Sequence, residues 1–310
     1  MKIAFFEPLG RGWNRMTSAL FKPFDLNKWL VVAFTAFLAG LFDWNGGGGN
    51  GSSQWSRDGS FGEFIDFPGK AWSWLTSHPG WFTLILFGVA FLVILGIVLL
   101  WLSSRGKFMF LYNVALDKAE VSRPWKEYKK EGDSLFLWRF VFVLICFLVF
   151  LFLIVIMFAG GSQLYKDTSF HGFPILFFVM MGIIFLIVAV VVGYIALFLD
   201  SFVVPLMFKH RLSAMKGWGM FLNIFKTRPF HFILYGLLML GLSLLFGIAV
   251  VIAGLLTCCV GFVLLVIPYI GTVITLPLWY WFRAFSLEFL AQFGDEYNVL
   301  PGEKKETTKT

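Results

Sequence analysis

Long, almost uncharged apolar runs are the feature that most limits the folds open to this chain. Six runs meet or approach the roughly 20 residues that a helix needs to cross a bilayer. They cover residues 28–44, 81–103, 135–159, 175–199, 230–253 and 260–283. With 59% hydrophobic and 14% charged residues, the chain also has too little polar surface to cover a soluble globule. The sequence therefore predicts an all-α integral membrane protein with six transmembrane helices.

The basic residues alternate between the loops and predict an orientation. Of the 25 lysines and arginines, 21 lie in the N-terminal segment, the second loop, the fourth loop and the C-terminal tail. Because basic loops stay in the cytoplasm, both termini are expected there, in the cytoplasmic (inner) membrane. The glycine-rich stretch 43–55 then lies on the outer face as a flexible spacer. It lacks the flanking strand, helix and Lys-Ser/Thr pair of a phosphate-binding loop.

A weak internal repeat divides the chain into three parts. A Trp-led amphipathic segment precedes the first, third and fifth runs, and Trp13, Trp125 and Trp218 are its predicted interfacial anchors. We expect three pseudo-repeated hairpins, each preceded by a cytoplasmic amphipathic interfacial helix. Together they form a single six-span membrane domain over residues 1–297, followed by a disordered cytoplasmic tail at 298–310. The first span is expected to be retained, although its shortness leaves a cleaved signal open.

Charged residues at membrane depth are functional candidates by default. Arg105, Asp200 and Arg283 lie at equivalent inner ends of the second, fourth and sixth runs. We predict that Asp200 pairs with Arg105, Arg283 or both and closes the cytoplasmic end of the bundle. The alternatives are that each side chain reaches the interface separately or that the three contact a substrate.

Two further patterns concern the helices themselves. The second run continues into an amphipathic helix at 103–119, with Lys107 placed off its apolar face. Prolines are expected to kink helices because they lack an N–H donor, and the candidates are Pro205, Pro268 and Pro277. Such breaks line substrate sites in transporters, but many serve only packing.

The sequence offers little enzyme chemistry. No His, Cys, Asp or Glu group has metal-ligand spacing, so no metal or other cofactor is expected. No nucleophile and base form a recognisable pair, which makes an enzyme the less favoured reading without excluding one. Nucleic acid is not an expected partner, because the basic residues interleave with the apolar runs. Expected partners are anionic lipid headgroups on the cytoplasmic face, with a protein partner or a second copy as further options.

Two stretches, 199–236 and 257–299, resemble an uncharacterised family of prokaryotic six-span membrane proteins. That family is akin to the membrane domain of some glycerophosphoryl diester phosphodiesterases. The resemblance rests on Asp200 with Pro205, on the turn at 257–261 and on the helix at 285–293. The acidic metal ligands of the phosphodiesterase domain are missing from this sequence. The resemblance therefore implies a lipid-linked or envelope role without supplying an active site.

Two functional hypotheses follow from these patterns. The first is a non-enzymatic accessory or scaffold module that engages anionic lipid or a partner membrane complex. The second is a carrier or scramblase for a lipid or small amphiphile, with a path near Pro268 and Pro277.

Overall fold

The structure, a computed structural model, describes residues 3–43, 61–166, 173–257 and 260–300. Within these ranges the regular structure is entirely helical, which confirms the all-α prediction. The α-helices are α1 (Phe6–Phe21), α2 (Leu26–Gly40), α3 (Phe61–Ser77), α4 (Pro79–Leu116), α5 (Ser122–Glu127), α6 (Lys129–Lys166), α7 (Phe173–Phe198), α8 (Val204–His210), α9 (Ala214–Thr227), α10 (Pro229–Leu256), α11 (Val260–Val266) and α12 (Ile270–Ala291). A five-residue π-helical turn, Leu199–Val203, joins α7 to α8.

Four stretches of helix are long and apolar enough to cross a membrane. They are Pro79–Leu116, Lys129–Gly160, Leu176–His210 and Pro229–Leu256. Large apolar side chains on all four are exposed, as Phe87, Phe152, Ile187 and Leu244 illustrate. Exposed apolar surface of this extent requires lipid to cover it. These helices confirm the membrane-protein class, whereas the number of crossings stays a prediction.

The predicted sixth run is divided in the structure. Helix α11 ends at Val266 and α12 begins at Ile270, and Pro268 lies in the break beside Tyr269, whose φ is 70°. Pro277 lies inside α12 without ending it. The ring of Tyr235 in α10 stacks on that of Phe285 in α12 at 5.3 Å.

Helix α2 corresponds to the predicted first span but has only 15 residues, or about 22 Å. Near its start, Lys28 forms an ion pair with Asp117 at 2.9 Å, and just after its end Asp43 contacts Lys107 at 2.8 Å. Both ends of α2 therefore lie along one short segment, residues 107–117, formed by the last part of α4 and the residue after it. The charge count put Asp43 on the outer face and Lys107 on the cytoplasmic side, so this part of the predicted topology is wrong. The rest of the glycine-rich stretch lies outside the described residues.

Backbone contacts divide the chain into two compact units. Unit 1 comprises residues 1–47, 99–138 and 195–310, and unit 2 comprises residues 48–98 and 139–194. Unit 2 contains apolar helical segments with ring contacts such as that of Phe150 with Phe185. Unit 1 contains a buried core drawn mainly from three segments, 108–115, 202–208 and 284–290. The charged side chains described below all lie in unit 1.

Candidate functional site

A buried lysine is the centre of the charged site. Lys107 is only 1% exposed, and its Nζ donates to both carboxylate oxygens of Asp43 at 2.8 Å. It also donates to Oδ2 of Asp200 at 2.6 Å. An ammonium group has three N–H donors, so all three are used. Burying an unpaired ammonium would cost several kcal/mol, and these two carboxylates offset that cost.

The backbone around Asp200 contributes a second connection. Asp200 lies in the π-helical turn, where the N–H of Val204 donates to the carbonyl of Leu199 five residues earlier. Such turns occur frequently at functional sites in other proteins. The guanidinium of Arg283 in α12 donates to the backbone carbonyl of Asp200. Four residues form the network that we call the Lys107 cluster: Lys107 in α4, Asp43 three residues after the end of α2, Asp200 in the π-helical turn and Arg283 in α12.

Close helix packing brings the end of α2 to Lys107. A Cβ atom at Gly106 would lie 2.6 Å from the backbone N of Ala39 and the backbone C of Leu38. Only glycine permits this approach. The hydroxyl of Ser103 donates to the carbonyl of Ala39 at 2.8 Å, and the amide of Asn113 donates to the hydroxyl of Thr35 at 3.3 Å. The contacts follow one face of α2 and end at Asp43.

Arg105 belongs to a neighbouring cluster. Its Nε and Nη2 donate to Oδ1 of Asp133 at 3.1 and 2.7 Å, and Nη2 also donates to Oδ2 at 3.0 Å. Its guanidinium carbon lies 4.4 Å from the ring centroid of Trp101 and 5.0 Å from that of Trp125. The indole of Trp101 donates to Asp133 at 3.2 Å. Aromatic rings and a carboxylate thus surround the buried cation.

The structure brings together part of the predicted charge cluster. Asp200 and Arg283 meet through the backbone carbonyl of Asp200. Arg105, the other partner that the prediction allowed for Asp200, pairs with Asp133 in the first turns of α6. Sequence reasoning missed Lys107 as the partner of Asp200 and placed it off the apolar face. One feature of the sequence could have indicated Lys107: it lies only two residues beyond Arg105, close to the same end of the second apolar run.

The Arg105 pair should be coupled energetically. For Arg105→Gln, Asp133→Asn and the double substitution, we expect a coupling free energy of about 1 to 2 kcal/mol, measured by unfolding in detergent. The pair of Arg123 and Glu127 on α5 is a suitable control, because its side chains are 63% and 35% exposed and its closest approach is 3.5 Å. That pair should couple by less than about 0.5 kcal/mol. Equal coupling energies for the two pairs would contradict the assignment.

The three predicted anchors each contact a second tryptophan. Trp13 packs against Trp281 with centroids 5.2 Å apart, and Trp125 packs against Trp101 at 5.7 Å. Trp218 stacks on Trp138 at 5.3 Å. Each anchor ring therefore has protein on part of its surface, and its location at the lipid interface stays a prediction. Of the three predicted kinks, Pro205 lies in the first turn of α8, directly after the π-helical turn.

A third cluster lies beside these two. The guanidinium carbon of Arg211 is 3.8 Å from the ring centroid of Tyr128, and Arg211 also forms an ion pair with Glu127. The Tyr128 ring stacks on that of Phe208 at 4.5 Å. Burial raises the pKa of Tyr128 to about 12, although Arg211 acts in the opposite direction. The phenol is therefore neutral throughout the physiological pH range.

The Lys107 cluster is balanced in charge. The Lys107 cluster contains two cationic and two anionic side chains, so its formal charge is zero. In the described part of the chain, no group of three or more His, Cys, Asp or Glu residues could hold a metal ion. The cluster fixes four chain segments at one point.

Comparison with known proteins places the chain in a family. Residues 6–291 match a family of unknown function, DUF7544. The chain belongs to this family. The DUF7544 match includes Asp43, Lys107, Asp200 and Arg283, and it agrees with the expectation of an uncharacterised family. No curated protein and no solved structure matches the chain. The kinship with the phosphodiesterase membrane domain stays a prediction.

Proposed function

We propose that the protein is a non-enzymatic multi-pass module of the cytoplasmic membrane, an accessory or scaffold that engages anionic lipid or a partner membrane complex. The observation that carries this proposal is a set of exposed cations on the helical segments next to the long apolar helices. They lie on α5, on the first residues of α6 and on α9. The set consists of Arg123, Lys126, Lys129, Lys130, Lys216 and Lys226. A negatively charged leaflet attracts such residues by about 1 kcal/mol each near its surface.

The interior of unit 1 supports a scaffold rather than a reaction centre. The rings of Phe202, Phe221, Phe232, Tyr235 and Phe289 pack against one another with centroids 4.8–6.1 Å apart where neighbours touch. The buried cation Lys107 has its donors taken by protein carboxylates. Close packing of this kind resists rearrangement. Exposed cations that attract lipid, together with a closely packed interior of unit 1, suit a membrane scaffold.

The electrostatic part of the proposal has a direct test. Protein purified in a neutral detergent is mixed with phosphatidylglycerol or with phosphatidylcholine of the same acyl chains, and its melting temperature Tm is measured. We expect phosphatidylglycerol to raise Tm by about 4 °C more than phosphatidylcholine at low salt, because a ligand that binds the folded state stabilises it. The difference should shrink at high salt, since salt screens exposed charges. Equal Tm values with the two lipids would remove lipid engagement from the proposal.

A carrier or scramblase remains the second candidate, and one feature favours it. An apolar groove with a volume of about 450 Å³ lies beside the break between α11 and α12. Its lining includes Leu30, Phe34, Phe37 and Tyr269. A groove of this character suits an acyl chain. Reconstitution with a fluorescent lipid tests this candidate, and movement between leaflets no faster than in protein-free vesicles would remove it.

A further inference from the structure

A polar groove lies where α10 begins. Arg228 is the single residue between α9 and α10, and it lines a groove with a volume of about 250 Å³. Asn223 and Thr227 line the groove from α9, and Gln292 and Tyr297 line it from the end of α12 and beyond. The groove thus combines a permanent cation with amide and hydroxyl groups. Guanidinium groups bind phosphate well because their N–H donors match its geometry.

One wall of the groove is held in place by the N-terminal segment. The side chain of Gln292 accepts from the backbone N–H of Ala4 and donates to the carbonyl of Ala4, both at 2.9 Å. The hydroxyl of Thr227 donates to the carbonyl of Ile224 at 2.6 Å, which fixes this side chain as well. Tethered walls of this kind make a groove largely preformed, as small-molecule sites usually are.

Directly after the groove comes a lipid-facing surface. Phe230, Leu234 and Leu237 are exposed by 81%, 48% and 58%, and their spacing puts them on one face of α10. The first of them, Phe230, is only two residues beyond Arg228 in the chain. Helix α10 is one of the four helices long and apolar enough to cross a membrane, and the ends of a helix that crosses a bilayer lie near the headgroups.

We infer that this groove, which we call the Arg228 groove, binds the phosphate of an anionic phospholipid whose acyl chains lie along Phe230, Leu234 and Leu237. Arg228 pairs with the phosphate, and the Asn223 amide and the Tyr297 hydroxyl bind the polar end of the headgroup. The inference rests on the proposed lipid engagement and assigns it to one site. It predicts stoichiometric lipid binding at one site in addition to the diffuse attraction of the exposed cations.

The test measures the Tm difference between phosphatidylglycerol and phosphatidylcholine in variants of the full chain. Arg228→Gln should lose at least half of the wild-type difference of about 4 °C, and Asn223→Leu should lose part of it while every charge is retained. Lys226→Gln is the matched control, because Lys226 is exposed, lies two residues away and is not part of the groove lining. This control should keep most of the difference, because Lys226 is only one of the six exposed cations named above. Using the difference between lipids separates binding from any change in the intrinsic stability of a variant.

Each outcome bears on a separate statement. An unchanged lipid difference in Arg228→Gln, or an equal loss in Lys226→Gln, would overturn the Arg228 groove while leaving lipid engagement intact. No difference in the wild-type protein would instead refute the proposed function. Inorganic phosphate alone should raise Tm by less than about 1 °C, because it lacks acyl chains to bury. A shift as large as that with phosphatidylglycerol would assign the groove to a free anion and overturn the lipid assignment.

Discussion

Replacing Lys107 with methionine is expected to lower the free energy of unfolding by about 3 kcal/mol or more and Tm by roughly 5 to 10 °C. Methionine retains most of the volume of the side chain but removes the three donors that bind Asp43 and Asp200. The two carboxylates, 20% and 31% exposed, then face each other with their common partner gone. Their repulsion and incomplete solvation account for the loss. Thermal unfolding in detergent provides the measurement.

A second substitution makes this expectation specific. Combining Lys107→Met with Asp43→Asn leaves Asp200 and Arg283 as one anion and one cation, so we expect recovery of at least half of the lost stability. Lys126→Met on α5 is the control for loss of a lysine. Because Lys126 is exposed, its replacement should change the free energy of unfolding by less than about 0.5 kcal/mol. An equal loss in Lys126→Met, or no recovery in the double variant, would contradict the pairing.

The second large effect is expected at Gly106, where α2 and α4 come closest. Gly106→Ala should lower the free energy of unfolding by about 2 kcal/mol, because the Cβ of alanine would lie 2.6 Å from backbone atoms of α2. This loss is expected even though alanine favours the helical backbone over glycine by up to about 1 kcal/mol. Gly106→Leu should cost more, since its longer side chain cannot be accommodated without separating the two helices. Unfolding in detergent and the rate of proteolysis within α2 both report the change.

Gly88 offers a control within the same helix. A Cβ added there meets no atom within 4 Å, so Gly88→Ala should be neutral or slightly stabilising. The two substitutions are chemically identical and differ only in their surroundings. If Gly106→Ala proves as stable as Gly88→Ala, then α2 does not pack against α4 as described.

The contrast between α2 and the longer helices shows what an apolar run can predict. Four runs of more than 20 residues, such as that in α10, are longer than most buried helices need, and each lies in a helix able to cross a membrane. The run at 260–283 is equally long but is divided between α11 and α12. The run in α2 is shorter, and burial in protein requires the same apolar composition as contact with lipid. Its small residues Ala33, Ala36 and Ala39 were the available indication of helix packing, and all three are buried.

The Lys107 cluster could be predicted only in part. Its members at helix ends, Asp200 and Arg283, stood out because charges at membrane depth are rare. The partners of Lys107 are 64 and 93 residues away, and no local pattern specifies contacts at such separations. The repeat argument treated Arg105 as the equivalent of Arg283, but Asp133 at the start of α6 offers a nearer carboxylate. Local periodicity located the charges, and tertiary packing decided their partners.

The spread of the Lys107 cluster along the chain has a consequence for biosynthesis. Its members are Asp43, Lys107, Asp200 and Arg283. Arg283 comes last in the chain, so the cluster can be completed only after α12 has left the ribosome. Until then the π-helical turn has no guanidinium on the carbonyl of Asp200. Chains that stop before residue 283 therefore carry an incomplete polar network inside an apolar protein.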